Sequence, residues 1–169
     1  MGAISYEIWR GAAPWAGQLY RLELDLRLQC LRTHLAQDKD CVFPFDTDPS
    51  TVHVVAVHNQ LGTDHVVGCV LFHYEDQVRP GLHTGRLFQM AVAPSYRRQS
   101  IGTSLVHSLE SYLQQELPAD ANLAIYLHAR VNAVPFYSQL EYRVDGDEFE
   151  EVGIKHYNMI KTITHSKSS

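Results

Sequence analysis

The spacing of apolar residues changes once between residues 86 and 113, and that change limits what the chain can build. Arg86 to Ala93 is a short apolar run stopped by Pro94. Beyond the turn, Ile101, Leu105, Leu109, Tyr112 and Leu113 recur on one helical face as far as Pro118. A strand therefore gives way to a helix across a tight polar turn, and the period moves from two to 3.6. A chain that contains this unit needs a sheet with helices laid on it.

The rest of the sequence supplies the other pieces. Ile4 to Arg10 reads as a strand ended by the Gly11 to Pro14 turn. Trp15 to Ala36 is read as a helix: Leu22, Leu24, Leu26 and Leu28 alternate like a strand, but Leu19, Leu22, Leu26 and Cys30 also fit helical spacing, with no Pro and a single Gly near the start. Cys41 to Ser50 is loop. Thr51 to His58 and His65 to Tyr74 are rich in β-branched residues and form an antiparallel hairpin about a turn at Asn59 to Asp64. Glu75 to Gly85 is expected to be loop, Leu123 to Ala129 strand, Ala133 to Leu140 a short helix, and Val152 to Thr162 a last strand after the polar run Asp145 to Glu151. This order predicts an α/β (α+β mixed) sheet flanked by helices, in a single domain over residues 1–163 with a frayed tail over 164–169.

Composition excludes several classes of function. A net charge of −5 with no Lys/Arg cluster argues against nucleic acid, whose phosphates need a basic surface. No apolar run is long enough to span a bilayer, and the amino terminus lacks a leader pattern, so no membrane association and a cytoplasmic location are expected. Cys30, Cys41 and Cys69 lack the short paired spacing of a zinc or redox motif and read as buried or partly buried thiols. The ten histidines include no pair at helical ligand spacing, so no metal is expected.

Chemistry concentrates in the turn Pro94-Ser95-Tyr96-Arg97-Arg98-Gln99-Ser100 and the helix start Ile101-Gly102-Thr103. A tight turn opening a helix presents unpaired N–H groups at the positive end of the helix dipole, which suits a phosphate. Arg97 and Arg98 add charge, and Gly102 admits close approach of the backbone. Small residues at a helix start equally describe ordinary capping. A P-loop or dinucleotide fingerprint is absent.

The run QMAVAPSYRRQSIGTSLV resembles the cofactor-binding motif of the GNAT superfamily of acyl-CoA N-acyltransferases, in which Arg/Gln, two variable residues, Gly, one variable residue and Gly/Ala follow a strand. Arg97 fills the first position and Gly102 the last; Ser100 stands where the family usually has Gly. Ser there costs about 1 kcal/mol if φ must be positive. The later run LHARVNAVPFYSQLEYRVDGDEFEEVGIKHYNM resembles the bacterial GNAT subgroup that includes ElaA-like proteins. The resemblance, clear over residues 86–160, implies the GNAT fold: a twisted, mostly antiparallel mixed sheet with two central parallel strands that splay. It also implies acetyl-CoA as acyl donor, its pantetheine arm on the backbone of Met90, Ala91 and Val92, and its pyrophosphate on Arg97, Arg98, Gln99, Ser100, Ile101, Gly102 and Thr103. Homodimerisation is a further family habit.

The same resemblance supplies roles. Tyr137 matches the tyrosine that protonates the leaving thiolate, with helix packing as its alternative. Asn132 matches a cofactor contact, with helix N-cap as an alternative that is compatible with it. Where many members carry a Glu base, this chain has Arg86, so His128 at the next strand's end is the candidate base, with a structural role equally open. His156, Glu150 and Glu151 are assigned to the acceptor side. The expected activity is acetyl transfer to a primary amine of a small molecule or peptide. Ser100 and Arg86 leave a second reading, an acyl-CoA-sensing module with weakened catalysis.

Overall fold

The computed structural model describes residues 3–31, 41–75 and 80–165. These residues form two compact units, one of residues 1–73 with 89–111, the other of residues 74–88 with 112–169.

The first unit opens with β1 (Ile4–Arg10) and α1 (Gly17–Leu31), joined by a 3-10 turn at Pro14–Ala16. Residues 32–36 of the expected helix lie outside the described residues. β2 (Thr51–Gln60) and β3 (Thr63–Tyr74) make the predicted hairpin, but its turn is only Leu61-Gly62. Both turn residues have positive φ, 52° and 85°, the two-residue geometry that matches the twist of the strands it joins. The expected turn was longer because Asn59 and Asp64 look like loop residues; instead they pair across it, Asn59 Nδ2 to Asp64 Oδ1 at 2.7 Å.

β2 lies between β1 and β3, antiparallel to both, and Thr51 through Val57 are all buried. A run dominated by β-branched residues, interrupted only by His53 and Ala56, suits a strand covered on both faces. On one face Val55, Val57, Cys69, Trp9 and Ala91 form a core with Leu26 of α1, against which Leu19, Leu22, Cys30 and Leu31 pack. The helical reading of that stretch thus holds. On the other face a Cβ at Gly68 would come within 2.9 Å of Leu105 and 3.1 Å of Ile101, so the absent side chain lets this helix sit down on β3. That helix is α2 (Ile101–Glu116).

β4 (Leu82–Val92) runs through both units, and it begins within the segment expected to be loop, since Leu82 to Gly85 are strand. They are recruited by β5 (Asn122–Arg130), parallel to β4 from Leu82↔Asn122 to Arg86↔Tyr126. Pairing with a neighbouring strand, which composition does not report, decides this. The ladder ends there although both strands continue, and Gln89 has φ of 51°.

In the second unit α3 (Val134–Gln139) follows a 3-10 turn, and β6 (Arg143–Val144), β7 (Phe149–Glu151) and β8 (Ile154–Thr164) follow α3. β8 pairs antiparallel with β5, β6 and β7. The expected last strand therefore starts two residues late, because Val152-Gly153, at φ 51° and 72°, is a hairpin turn, and part of the polar run is strand β7. Leu123, Ile125, Leu127 and Ala129 of β5 are buried while the alternate residues are half-exposed, so one face is core and the other open. Thr164 belongs to β8, and His165 Nδ1 donates to the Leu117 carbonyl at 2.7 Å; residues 166–169 of the expected tail lie outside the described residues. The sheet is mixed, mostly antiparallel, with one parallel pair at β4 and β5.

Candidate functional site

The turn of the first unit begins where Pro94 ends β4. A 3-10 turn at Pro94–Tyr96 leads to Arg97 in an extended conformation, and then Arg98 and Ser100 both adopt positive φ, 63° and 60°. The position that usually holds Gly thus has the left-handed backbone, and Ser100 adopts it at a cost of about 1 kcal/mol. Ser104 N–H donates to the Ser100 carbonyl at 3.0 Å. The N–H groups of Ile101, Gly102 and Thr103 precede it and have no helical acceptor, so they are available to an anion. Arg97, Arg98, Gln99 and Ser100 are exposed, whereas Ile101 is buried and anchors the helix start.

Side chains fix this turn from behind. Arg97 Nε donates to the Val92 carbonyl at 3.0 Å, tying the turn to the strand end, and Gln99 Nε2 donates to the Ser95 carbonyl at 3.2 Å. Tyr96 meets His58 Nδ1 at 2.7 Å and receives Gln60 Nε2 at 3.0 Å. β2, β4 and the turn's own Ser95 therefore hold the turn, and little ordering is left for a ligand to impose. Met90 and Val92 are half-buried and Ala91 is core. Beside them Cys30 Sγ points at the Val92 carbonyl, 3.9 Å away, with its thiol pushed up by burial and opposed by Arg97.

The open sheet face of the second unit gathers several residues singled out in the sequence. Arg86 Nη2 lies 3.0 Å from His128 Nδ1 and 3.6 Å from Glu151 Oε1, and Glu151 Oε1 lies 3.3 Å from the same ring nitrogen. Arg86 is thus in contact with a histidine and a carboxylate at once. Phe149 packs edge-on against His128, ring centroids 4.9 Å apart, and stacks with His156 at 5.9 Å. Tyr126 extends the row at 6.0 Å from His128; its hydroxyl donates to Glu75 Oε1 at 2.5 Å, and burial with that carboxylate pushes it up to about 12. Phe149 was not singled out in the sequence. Its signal was the Val152-Gly153 turn pattern, masked by the charges around it.

Tyr137 is buried, 6% exposed, between Phe136 and Tyr142. Burial alone raises its phenol well above the usual range. Among the described residues its hydroxyl makes no hydrogen bond, although buried phenols usually find a partner. Asn132 is exposed within the 3-10 turn before α3, and no side chain caps that helix, whose N-cap is Ala133. The N-cap role considered for Asn132 is thereby corrected: the 3-10 turn shifts the helix start past it.

One buried cluster in the first unit escaped the sequence altogether. Arg27 Nη1 bonds Glu23 Oε1 at 3.0 Å, Arg27 Nη2 bonds Asp46 Oδ2 at 3.2 Å and also reaches the Cys41 carbonyl, and all three charged residues are buried. His53 sends Nδ1 to Glu23 Oε2 at 2.9 Å and Nε2 to the Asp46 carbonyl at 2.8 Å, stacked on Trp9. Both ring nitrogens face acceptors, so the ring joins α1 to the Cys41 to Ser50 segment. Tyr20 donates to Asp46 at 2.9 Å and is raised by burial and that carboxylate. Glu23 and Arg27 are spaced i, i+4 and so read as a surface pair.

The described residues contain no group of three metal-ligating side chains and no helix long and apolar enough to cross a membrane. The family described as acetyltransferase (GNAT) domain matches residues 45–163. YyaT of Bacillus subtilis, an uncharacterised protein, is 32% identical over 85 residues, 50% of this chain and 54% of its own length. The chain spans about half the length of the curated relatives it matches. Among solved structures, Escherichia coli ElaA superposes with a TM-score of 0.75 at 18% identity, covering 94% of this chain and 99% of ElaA. Arabidopsis thaliana NAA60 in complex with acetyl-CoA gives 0.65 at 15% identity, covering 95% and 99%. The strand, turn and helix, the parallel pair that follows and a family match over most of the chain lead to one assignment: the chain belongs to the GNAT family of acetyltransferases.

Proposed function

We propose that this chain transfers the acetyl group of acetyl-CoA directly to a primary amine carried by a small molecule or a peptide. The observation that carries the reading is the turn at residues 97–103: positive φ at Arg98 and Ser100 leads into a helix whose first N–H groups have no helical acceptor, beside two exposed arginines. These groups fit a pyrophosphate. Backbone of Met90 to Val92 takes the pantetheine arm, and Asn132 and Tyr137 contribute further contacts. The bound thioester supplies an activated acyl carbon and a thiolate leaving group. Tyr137 donates a proton toward the leaving sulfur; burial keeps it protonated through the neutral range, so it enters the reaction as a donor. A histidine on the open sheet face of the second unit removes the amine's proton.

Arg86 in contact with His128 favours a second reading, an acyl-CoA sensor. A thermal-shift titration with acetyl-CoA, followed by an amine panel read by thiol release, separates the two. Acceptor-dependent release supports the transferase, and Tyr137→Phe should then lose about 10²-fold or more in kcat while keeping most of its acetyl-CoA shift, which rests chiefly on the turn at residues 97–103. Tight binding with no release on any amine supports the sensor.

A further inference from the structure

Two histidines share the open sheet face of the second unit, and their hydrogen bonds give them opposite tautomers. In the ladder between β5 and β8, His128 opposes Asn158 and His156 opposes Arg130, so both rings project from one face, with Phe149 packed against each. His156 Nδ1 lies 2.7 Å from the Ile154 carbonyl. A carbonyl only accepts, so Nδ1 carries the proton and Nε2 keeps its lone pair. His128 is the reverse. Its Nδ1 lies 3.0 Å from Arg86 Nη2, a group that only donates, so Nδ1 accepts and the proton sits on Nε2. Glu151 could use a proton on Nδ1, but its contact is longer, 3.3 Å, and Arg86 stands beside both groups.

Resting on the acetyl-transfer reading above, we propose that His156 Nε2, and not His128, takes the proton of the acceptor amine, while His128, held by Arg86, acts as a hydrogen-bond donor toward the acceptor. A second proton on His128 would displace Arg86 and set two cations in contact. At His156 the bond to Ile154 stays in place when Nε2 is protonated. The charged neighbours there are Arg130, opposite on β5, and Lys155, which is already paired with Glu148 at 2.9 Å. His156 is 7% exposed, shielded by the Phe149 ring. The step balances: an ammonium N–H bond breaks as the Nε2–H bond forms, the freed lone pair forms the C–N bond while the C–S bond breaks, and Tyr137 gives the sulfur a proton that the nitrogen's second proton replaces.

Nitrogen-15 NMR of the wild-type chain should report the Nδ1–H tautomer at His156 and the Nε2–H tautomer at His128; the opposite pair overturns the proposal without any need for turnover. In steady-state assays, His156→Gln should lower kcat by about 10²- to 10⁴-fold with a little-changed acceptor KM. His128→Gln should instead raise the acceptor KM and lower kcat less than tenfold. The reverse pattern in folded variants overturns the proposal, and so does a His156→Gln enzyme with its kcat intact. Wild-type protein that releases no thiol with any amine sinks the transferase reading itself, a different outcome from either.

Discussion

Ser100 sits at φ of 60°, where a side chain is unfavourable and glycine is not. Replacing it with Gly removes that cost while adding freedom to the unfolded chain, so Ser100→Gly should gain up to about 1 kcal/mol in denaturant unfolding. Ser100→Val should lose more than Ser100→Gly gains, because a β-branched residue suits positive φ least. Tyr137 lends itself to a pH experiment. Burial raises its folded-state value above that of the unfolded chain, so above about pH 10 the unfolded state releases a proton that the folded state retains. The stabilisation is complete below that pH and is lost as pH rises further. Wild-type stability should therefore fall more steeply between about pH 10 and 11.5 than that of Tyr137→Phe, the remaining slope coming from other groups raised in the same direction, Tyr20, Tyr126 and the thiols of Cys30 and Cys69 among them. The identity of these residues was legible in the sequence and their conformation was not: a serine in a glycine position gives no sign of its φ, and a tyrosine beside a phenylalanine none of its missing hydrogen bond.

At the level of elements, α2 depends on Gly68. Adding a methyl group there presses on Leu105 at 2.9 Å and Ile101 at 3.1 Å, so Gly68→Ala should cost about 1–3 kcal/mol and weaken acetyl-CoA binding, since Ile101 begins the helix that presents the N–H groups. Isothermal titration beside an unfolding curve measures both. α1 depends on Arg27. Arg27→Met leaves Glu23 and Asp46 buried without their partner, and should cost about 3–5 kcal/mol in urea unfolding. Elements with a local signal were legible: α2 follows from helical spacing, β2, β3 and β5 from β-branched composition, and α1 from helical spacing that competes with a strand-like alternation of Leu22, Leu24, Leu26 and Leu28. Elements made by pairing were not. Leu82 to Gly85 become strand only because β5 lies alongside, and Phe149 to Glu151 only because Val152-Gly153 folds them back on β8.

At the scale of the whole molecule, acetyl-CoA should act as a stabiliser by mass action. At 100 times its Kd it should add about 2.7 kcal/mol, a rise of roughly 5–10 °C in Tm, reduced in Arg97→Gln and Arg98→Gln. The family was legible in the motif because a turn that cradles an anion must be written in consecutive residues. The buried cluster of Glu23, Arg27, Asp46 and His53 was illegible because its members are up to thirty positions apart and each, taken alone, is an ordinary surface residue. That cluster also sets how fast the segment from Cys41 to Ser50 can open. Lifting it breaks the bonds of Arg27 to Asp46 and to the Cys41 carbonyl and that of His53 to the Asp46 carbonyl together, and leaves the Glu23 contacts with Arg27 and His53 to be held without Asp46. A segment whose prolines and aspartates look like a protease target should therefore resist nicking in the native protein and be cut only on the slow timescale of larger unfolding events.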